Sequence, residues 1–182
     1  MAIFAAILIV PWLLALVLTP VVIRFAQSRG YLDVPTARKA HKAPVALLGG
    51  VAVFASIALG LLLVSIFVEP VRSALVGHAS LGALGLGALL MVALGTWDDL
   101  YDMRPMAKLA GQIAIAALTW AMGFRVGAIE LPFELLLTSA APASFLVTVG
   151  WIVIVSNAFN LIDGIDGLTA GVSVITARSR SV

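Results

Sequence analysis

Five long apolar runs constrain this chain more than any other feature of its sequence. Each is close to the roughly 20 residues that a helix needs to cross the hydrocarbon core of a bilayer. A backbone in lipid has to satisfy its own hydrogen bonds, which favours helices. The runs cover about Ile3–Ile23, Leu47–Val68, Leu75–Thr96, Met106–Phe124 and Ala143–Phe159. The sequence therefore predicts an all-α fold, a polytopic transmembrane helix bundle that forms a single membrane domain over residues 1–182.

The composition indicates the same class of protein. The chain is 62% hydrophobic and 11% charged, whereas a soluble domain is about half apolar and about a quarter charged. It has no cysteine, which excludes disulfides and thiolate metal sites. No positively charged region precedes the first apolar run, so we expect a retained first span and not a cleaved signal peptide.

The end of the chain differs from the rest. A sixth apolar run begins at Leu168 and stops at Ala177, before Arg178 and Arg180. Ten helical residues rise about 15 Å, which is half of the hydrocarbon thickness. Both arginines would then lie near the middle of the bilayer, at a cost of a few kcal/mol each. We therefore expect five full spans plus a truncated sixth, in a chain that has been cut off.

The basic residues indicate the orientation of the spans. The connection between the first two runs, Arg24–Ala46, holds five of the eleven lysines and arginines, and Arg104 and Lys108 follow the third run. Basic residues are enriched in cytoplasmic loops. We therefore expect these two connections to be cytoplasmic and the N-terminus to lie outside.

A cluster of carboxylates follows the third apolar run. If the helix continues, Asp102 lies one turn after both Asp98 and Asp99, so the three share a flank. Carboxylates so close repel one another unless protons or a cation intervene, and clusters of oxygen ligands favour magnesium. The alternative is a solvated helix end with ordinary charges, because pairs of aspartates are common.

A second polar cluster ends the fifth apolar run. Its members, Asn157, Asn160, Asp163 and Asp166, recur every three residues. Polar side chains at such a depth are expensive and usually mark a working site. An asparagine offers both a donor and an acceptor, which suits a uracil edge, a sugar hydroxyl or a magnesium-bound water. A plain turn is the alternative, because Asp-Gly pairs form turns, but a turn does not explain asparagines within a span.

The first cytoplasmic connection is rich in basic residues. Lys42 lies shortly before Gly49 and Gly50, which open the second run. Backbone amides at a helix N-terminus, with a lysine close by, can hold an anionic group. The alternative is a stop-transfer loop whose charges only set the topology.

Three segments together resemble the cytoplasmic motifs of the polyprenyl-phosphate N-acetylhexosamine-1-phosphate transferases, which form glycosyltransferase family 4. They are Arg38–Gly50, Asp98–Asp102 and Asn157–Leu168, and the resemblance extends over about Thr19 to Val174. The basic loop is more similar to the undecaprenyl-phosphate N-acetylglucosamine-1-phosphate transferase-like branch. Two further motifs of the family, one with Met-Gly-Asp and one rich in histidine, do not occur here. We therefore expect the chain to be the N-terminal half of a larger transferase and to be inactive alone.

The resemblance implies a phosphoglycosyltransferase reaction. A UDP-N-acetylhexosamine would donate its sugar 1-phosphate to undecaprenyl phosphate and release UMP, initiating a cell-envelope polysaccharide. The implied cofactor is Mg2+, with Mn2+ as the alternative. The implied partners are the lipid phosphate, the nucleotide sugar and the membrane, with no nucleic acid and with a homodimer left open. The implied location is the bacterial cytoplasmic (inner) membrane, with a multi-pass chain and a cytoplasmic active face.

The resemblance also implies roles for individual residues. Asp98 and Asp99 would be the catalytic residues at the lipid phosphate. Asn160 and Asp163 would lie at the metal. The remaining positions would bind substrate: Lys42, Asp102, Lys108, Asn157 and Asp166.

Two other classes of protein use similar residues. Membrane prenyltransferases also hold magnesium diphosphate with aspartate-rich motifs, but the pair of asparagines and the repeated Asp-Gly steps argue against them. A transporter half would use carboxylates as coupling-ion sites near the bilayer midplane, within an inverted repeat. The acidic residues here lie at span ends on one face, and the chain contains no repeat.

Overall fold

Six helices and one short pair of strands form the described part of the chain, which comprises residues 2–33, 45–126 and 141–162 of a computed structural model. In chain order the elements are α1 (Ala2–Arg29), β1 (Leu32–Asp33), β2 (Val45–Ala46), α2 (Gly49–Phe67), α3 (Glu69–Gly77), α4 (Ala79–Tyr101), α5 (Pro105–Ala121) and α6 (Ala141–Ile162). The predicted helical class is confirmed, apart from the two short strands.

Four of the described helices are long and apolar enough to cross a membrane: α1, α2, α4 and, over Pro142–Phe159, α6. The predicted run Met106–Phe124 forms α5, which has only 17 residues and carries Lys108 and Gln112. The sixth run lies outside the described residues. A multi-pass membrane bundle is therefore confirmed, while five full spans plus a truncated sixth stay a prediction.

The third predicted run, Leu75–Thr96, differs from the structure at both ends. His78 has an extended backbone, with φ −114° and ψ 99°, and separates α3 from α4. Helix α3 begins with Glu69 and Pro70, and both residues favour a helix start. An average over hydropathy does not detect such a break, because the apolar side chains continue across it.

Small residues allow α1 and α2 to pack closely. The buried stripe on α2 recurs every four residues and consists of Ala52, Ser56, Gly60 and Val64. A Cβ atom on Gly60 would collide with the ring and backbone of Pro11. Close backbone approach through small residues is the usual way in which membrane helices associate.

The next contacts bring α4 against α2 and α5, and α5 against α6. A Cβ atom on Gly87 of α4 would collide with Thr119 Oγ1 of α5, so the absence of a side chain there allows the two helices to pack closely. Among the described residues, no atom lies within 4 Å of where a Cβ on Gly82, Gly85 or Gly95 would stand. A second close approach joins the same two helices, because a Cβ atom on Gly111 of α5 would lie 3.0 Å from the Leu94 side chain of α4.

An aromatic contact joins α5 to α6 far from the acidic end of α4. The rings of Trp120 and Phe145 meet edge to face, with their centroids 5.2 Å apart. Trp120 Nε1 also donates a 3.3 Å hydrogen bond to Ser144 Oγ, and the guanidinium of Arg125 lies 5.2 Å from a Trp120 ring centroid. These contacts fix the alignment of α5 with α6.

The two strands were missed by the all-α prediction. They are antiparallel, with Leu32 opposite Ala46 and Asp33 opposite Val45, and Leu47 N donates to Tyr31 O at 3.0 Å. Such a short ladder has no recognisable periodicity in the sequence. It joins the end of α1 to the start of α2.

Candidate functional site

The candidate site lies where α4 ends and α5 begins. Helix α4 continues through Asp98 and Asp99 to Tyr101, beyond the predicted end of the apolar run at Thr96. Asp102 instead has a left-handed backbone, with φ 49° and ψ 70°, which aspartate tolerates better than most residues. The expectation that all three carboxylates share one helical flank is therefore wrong for Asp102, which ends the helix.

Both carboxylate oxygens of Asp98 accept hydrogen bonds. Oδ1 accepts one of 3.1 Å from Met103 N, and Oδ2 accepts one of 2.6 Å from Lys108 Nζ. The side chain of Asp98 is 20% exposed and that of Lys108 is 21% exposed. Hydrogen bonds between ionised partners are short and about twice as strong as neutral ones. Asp98 thus holds the turn after α4 and connects it to α5.

Lys108 was predicted to bind substrate, and the structure places it against Asp98. It lies in the first turn of α5, which Pro105 opens. A lysine ammonium has three hydrogens to donate, and the bond to Asp98 uses one of them. The contact therefore fixes the position of Lys108 while two donors remain for other acceptors.

The other two carboxylates of the cluster are more accessible. Asp99 and Asp102 are exposed, whereas Asp98 is half-buried. Consecutive residues of a helix are rotated by about 100°, so Asp99 extends from α4 in a different direction from Asp98. The half-buried carboxylate is thus the one bound to Lys108, and the exposed ones are the ones a ligand reaches first.

Asn157 is connected to α5 through a residue that the sequence reasoning missed. Its Nδ2 donates a hydrogen bond of 2.7 Å to Gln112 Oε1. Gln112 is only 5% exposed. A polar residue buried in an apolar helix needs a partner. Its position four residues after Lys108, hence on the same face of α5, is the signal that could have identified it.

Helix α5 thereby connects the two clusters that the sequence singled out. Lys108 and Gln112 are separated by a rise of about 6 Å; one contacts α4 and the other contacts α6. A cavity of about 150 Å³ opens beside them between the three helices. Its lining consists of Met91, Leu94, Gly95, Lys108, Gln112 and Ser156. Asp98, Lys108 and Asn157 therefore gather around the same end of the bundle.

Several predicted site residues cannot be placed. Lys42, Asp163 and Asp166 lie outside the described residues, and so does the side chain of Asn160, although its backbone belongs to α6. Within the described ranges, no three His, Cys, Asp or Glu side chains form a group that could hold a metal. The residues assigned to metal and nucleotide binding therefore stay predictions.

Comparison with known proteins identifies relatives that act on polyprenyl phosphates. The family described as Glycosyl transferase family 4 matches residues 81–180. The chain is 34% identical over 167 residues to a Bacillus subtilis protein named "Probable undecaprenyl-phosphate N-acetylglucosaminyl 1-phosphate transferase", covering 92% of this chain and 44% of that protein. It is 32% identical over 160 residues to the decaprenyl-phosphate N-acetylglucosaminephosphotransferase of Mycobacterium tuberculosis, covering 85% and 39% of the two chains.

A third relative comes from Escherichia coli. The undecaprenyl-phosphate alpha-N-acetylglucosaminyl 1-phosphate transferase of Escherichia coli is 29% identical over 157 residues, with 84% of this chain and 39% of the relative covered. The chain thus spans less than half the length of these relatives. No solved structure matches it. The resemblance inferred from the three motifs is confirmed.

Proposed function

The chain belongs to glycosyl transferase family 4, and from that premise we propose that the complete protein is a phosphoglycosyltransferase. It would transfer N-acetylhexosamine 1-phosphate from a UDP-sugar to undecaprenyl phosphate and release UMP, as the first step of a cell-envelope polysaccharide. The observation that carries this proposal is the half-buried Asp98–Lys108 pair at the end of an apolar helix long enough to span a membrane. A lipid phosphate and a soluble nucleotide can meet only at such a boundary.

The membrane setting supports a lipid acceptor. Many aliphatic and aromatic side chains on the outer faces of the helices are exposed, among them Phe4, Leu62 and Ile154. The rings of Trp97 and Tyr101 lie in tilted contact beside the acidic cluster, with centroids 4.6 Å apart, and such residues favour the interface between lipid and water. We propose that this end faces the cytoplasm of a bacterium and that the N-terminus lies outside.

The reaction requires one bond to form and one to break. An oxygen of the lipid phosphate attacks the phosphorus that carries the sugar. The bond from that phosphorus to the bridging oxygen then breaks, and this oxygen leaves with UMP. Phosphoryl transfer depends mainly on positioning and on neutralising charge. The two remaining donors of Lys108 can bind a phosphate oxygen while Asp98 holds its ammonium in place.

The exposed Asp99 is proposed to act on the acceptor. If the lipid phosphate binds with a proton, the carboxylate of Asp99 accepts it as the oxygen attacks. Asp98 is proposed to contribute to the same step, through the Lys108 that it positions and by the negative charge it adds. Asp102, Asn157, Asp166 and Lys42 complete the proposal as substrate-binding residues.

The donor atoms of the site suit a hard divalent cation. Every ligand proposed here is a carboxylate or amide oxygen, and the chain has no cysteine; oxygen ligands are those of Mg2+ and Mn2+. Asn160 and Asp163 are the residues proposed to hold the ion. When bound, it would neutralise charge on the diphosphate.

The test is release of UMP by the purified complete protein, given undecaprenyl phosphate, magnesium and UDP-N-acetylglucosamine. Changing Asp98→Asn or Asp99→Asn keeps the shape and removes the charge, so turnover should fall by orders of magnitude. Near-normal turnover in both variants would contradict the proposal. We propose that the 182-residue chain alone has no turnover, because it spans less than half of its relatives. UMP released by this chain and abolished by Asp99→Asn would overturn that part.

A further inference from the structure

Gln112 has a buried side chain with no role in the proposed reaction. The other two buried residues of α5 are Ala116 and Thr119, and neither needs a polar partner on another helix. Ala116 has no polar side-chain atom, and Thr119 Oγ1 donates to Ile115 O of its own helix at 2.8 Å. Gln112 differs, because its Oε1 accepts the 2.7 Å hydrogen bond from Asn157 Nδ2 on α6. A buried amide directed at a candidate substrate residue suggests more than packing.

The bonds of Asn157 determine which of its atoms a ligand can use. The amide nitrogen carries two hydrogens. One is donated to Gln112 Oε1, and the other is donated to Val153 O at 2.8 Å. The amide group is planar, so a nitrogen fixed by two acceptors leaves the carbonyl oxygen on the opposite side. Asn157 is exposed, and it therefore offers a ligand an acceptor and not a donor.

We propose that Gln112 is a positioning residue that holds Asn157 with Oδ1 directed towards a donor of the bound substrate. Without Gln112, the amide group of Asn157 is free to rotate by about 180° about its Cβ–Cγ bond and would then present N–H groups to the ligand. The donor is an O–H or N–H group of the nucleotide sugar, or a metal-bound water, because each of these can donate a hydrogen bond to a carbonyl oxygen. The inference rests on the proposed function, since it assumes that the nucleotide sugar binds beside α6.

The first experiment measures kinetics in the complete protein. Gln112→Met keeps the length of the side chain and removes its acceptor. The KM for UDP-N-acetylglucosamine should rise roughly three- to tenfold, as expected for one misdirected hydrogen bond, with kcat little changed. If the donor is a metal-bound water, the same rise should appear in the magnesium concentration for half-maximal rate. The matched control is Thr119→Val, which should change neither value.

A second measurement separates positioning from general packing. If Gln112 acts only through Asn157, then Gln112→Met should have no further effect in an Asn157→Ala background, because coupled residues are not additive. Binding of labelled UDP-N-acetylglucosamine in equilibrium dialysis provides this comparison without turnover. A full effect of Gln112→Met in the Asn157→Ala background would overturn the proposal, and so would unchanged values in the single variant.

The third measurement needs no catalysis. The chain contains only two asparagines, Asn157 and Asn160, so 15N-asparagine labelling of the 182-residue chain gives two side-chain amide groups to resolve. The amide protons of Asn157 should exchange slowly with water, and Gln112→Met but not Thr119→Val should accelerate the exchange. Fast exchange in the unmodified chain would refute the role of Gln112. A failure of the proposed function would appear instead as no UMP release by the unmodified complete protein.

Discussion

Replacing Lys108 by methionine tests whether the ion pair with Asp98 holds the site together. The Nζ and Oδ2 atoms are 2.6 Å apart, at which unit charges attract by about 6 kcal/mol for an effective dielectric constant of about 20, and by about 1.6 kcal/mol in water. Desolvation of both groups offsets most of this. Exposed pairs contribute about 0–1 kcal/mol, and breaking a fully buried pair costs about 3–5 kcal/mol. With side chains 21% and 20% exposed, we expect Lys108→Met to lower the free energy of unfolding by about 1–3 kcal/mol.

The assay is unfolding in mixed detergent micelles, followed by circular dichroism. Asp98 keeps its hydrogen bond from Met103 N in this variant, so the turn should still form. The double variant Asp98→Asn/Lys108→Met removes both charges. Its loss of unfolding free energy should be smaller than the sum of the losses in the two single variants. Turnover of the complete protein should fall at least about 100-fold in both variants that lack Lys108, since its ammonium is proposed to bind phosphate.

Two results would refute this reasoning. A free energy of unfolding unchanged in Lys108→Met would mean that the pair contributes nothing to the fold. Additive losses in the double variant would mean that the two charges do not interact. Normal turnover would separately remove Lys108 from the proposed chemistry.

Further substitutions test the packing and the orientation. Gly87→Ala should destabilise the bundle by about 1–2 kcal/mol, because the new methyl group collides with Thr119. Gly85→Ala is the control and should stabilise α4 by up to about 1 kcal/mol. Equal changes in the free energy of unfolding of the two variants would contradict the close approach. The chain has no cysteine, so single cysteines at the exposed positions Tyr101 and Val76 can be labelled selectively. The Tyr101 site should react only from the cytoplasm and the Val76 site only from outside, and labelling of both from one side would contradict the topology.

The helices were predictable because a helix that crosses the hydrocarbon core needs about 20 mostly apolar residues in a row. The apolar runs located α1, α2, α4 and α6 without any knowledge of their packing. Their ends were less predictable: α4 continues to Tyr101, past the predicted end at Thr96, because backbone hydrogen bonds continue where hydropathy falls. The break at His78 is a matter of backbone conformation, which hydropathy does not measure.

The candidate site was predictable only in part. Asp98 and Asn157 were identified because polar side chains at the end of an apolar run are expensive. Their partners depend on tertiary packing: Gln112 bonds a residue 45 positions away, and no local pattern reveals that contact. Lys108 was singled out as a substrate-binding candidate, and that role stays a prediction. Its half-buried contact with Asp98 depends on the turn between α4 and α5, which no local sequence pattern reveals. The roles of all the candidate site residues, including those of Lys42, Asp163 and Asp166, stay predictions.

The short ladder between β1 and β2 has a consequence for how this chain can change over time. It holds Asp33 opposite Val45, so the two points between which eleven further positions of the sequence run are fixed beside α1 and α2. The entropy of closing a flexible loop grows only slowly, by about 0.6 kcal/mol for each doubling of its length. Insertions between the strands should therefore leave the helices undisturbed. The ladder thereby uncouples the length of the segment between the strands from the packing of the membrane bundle.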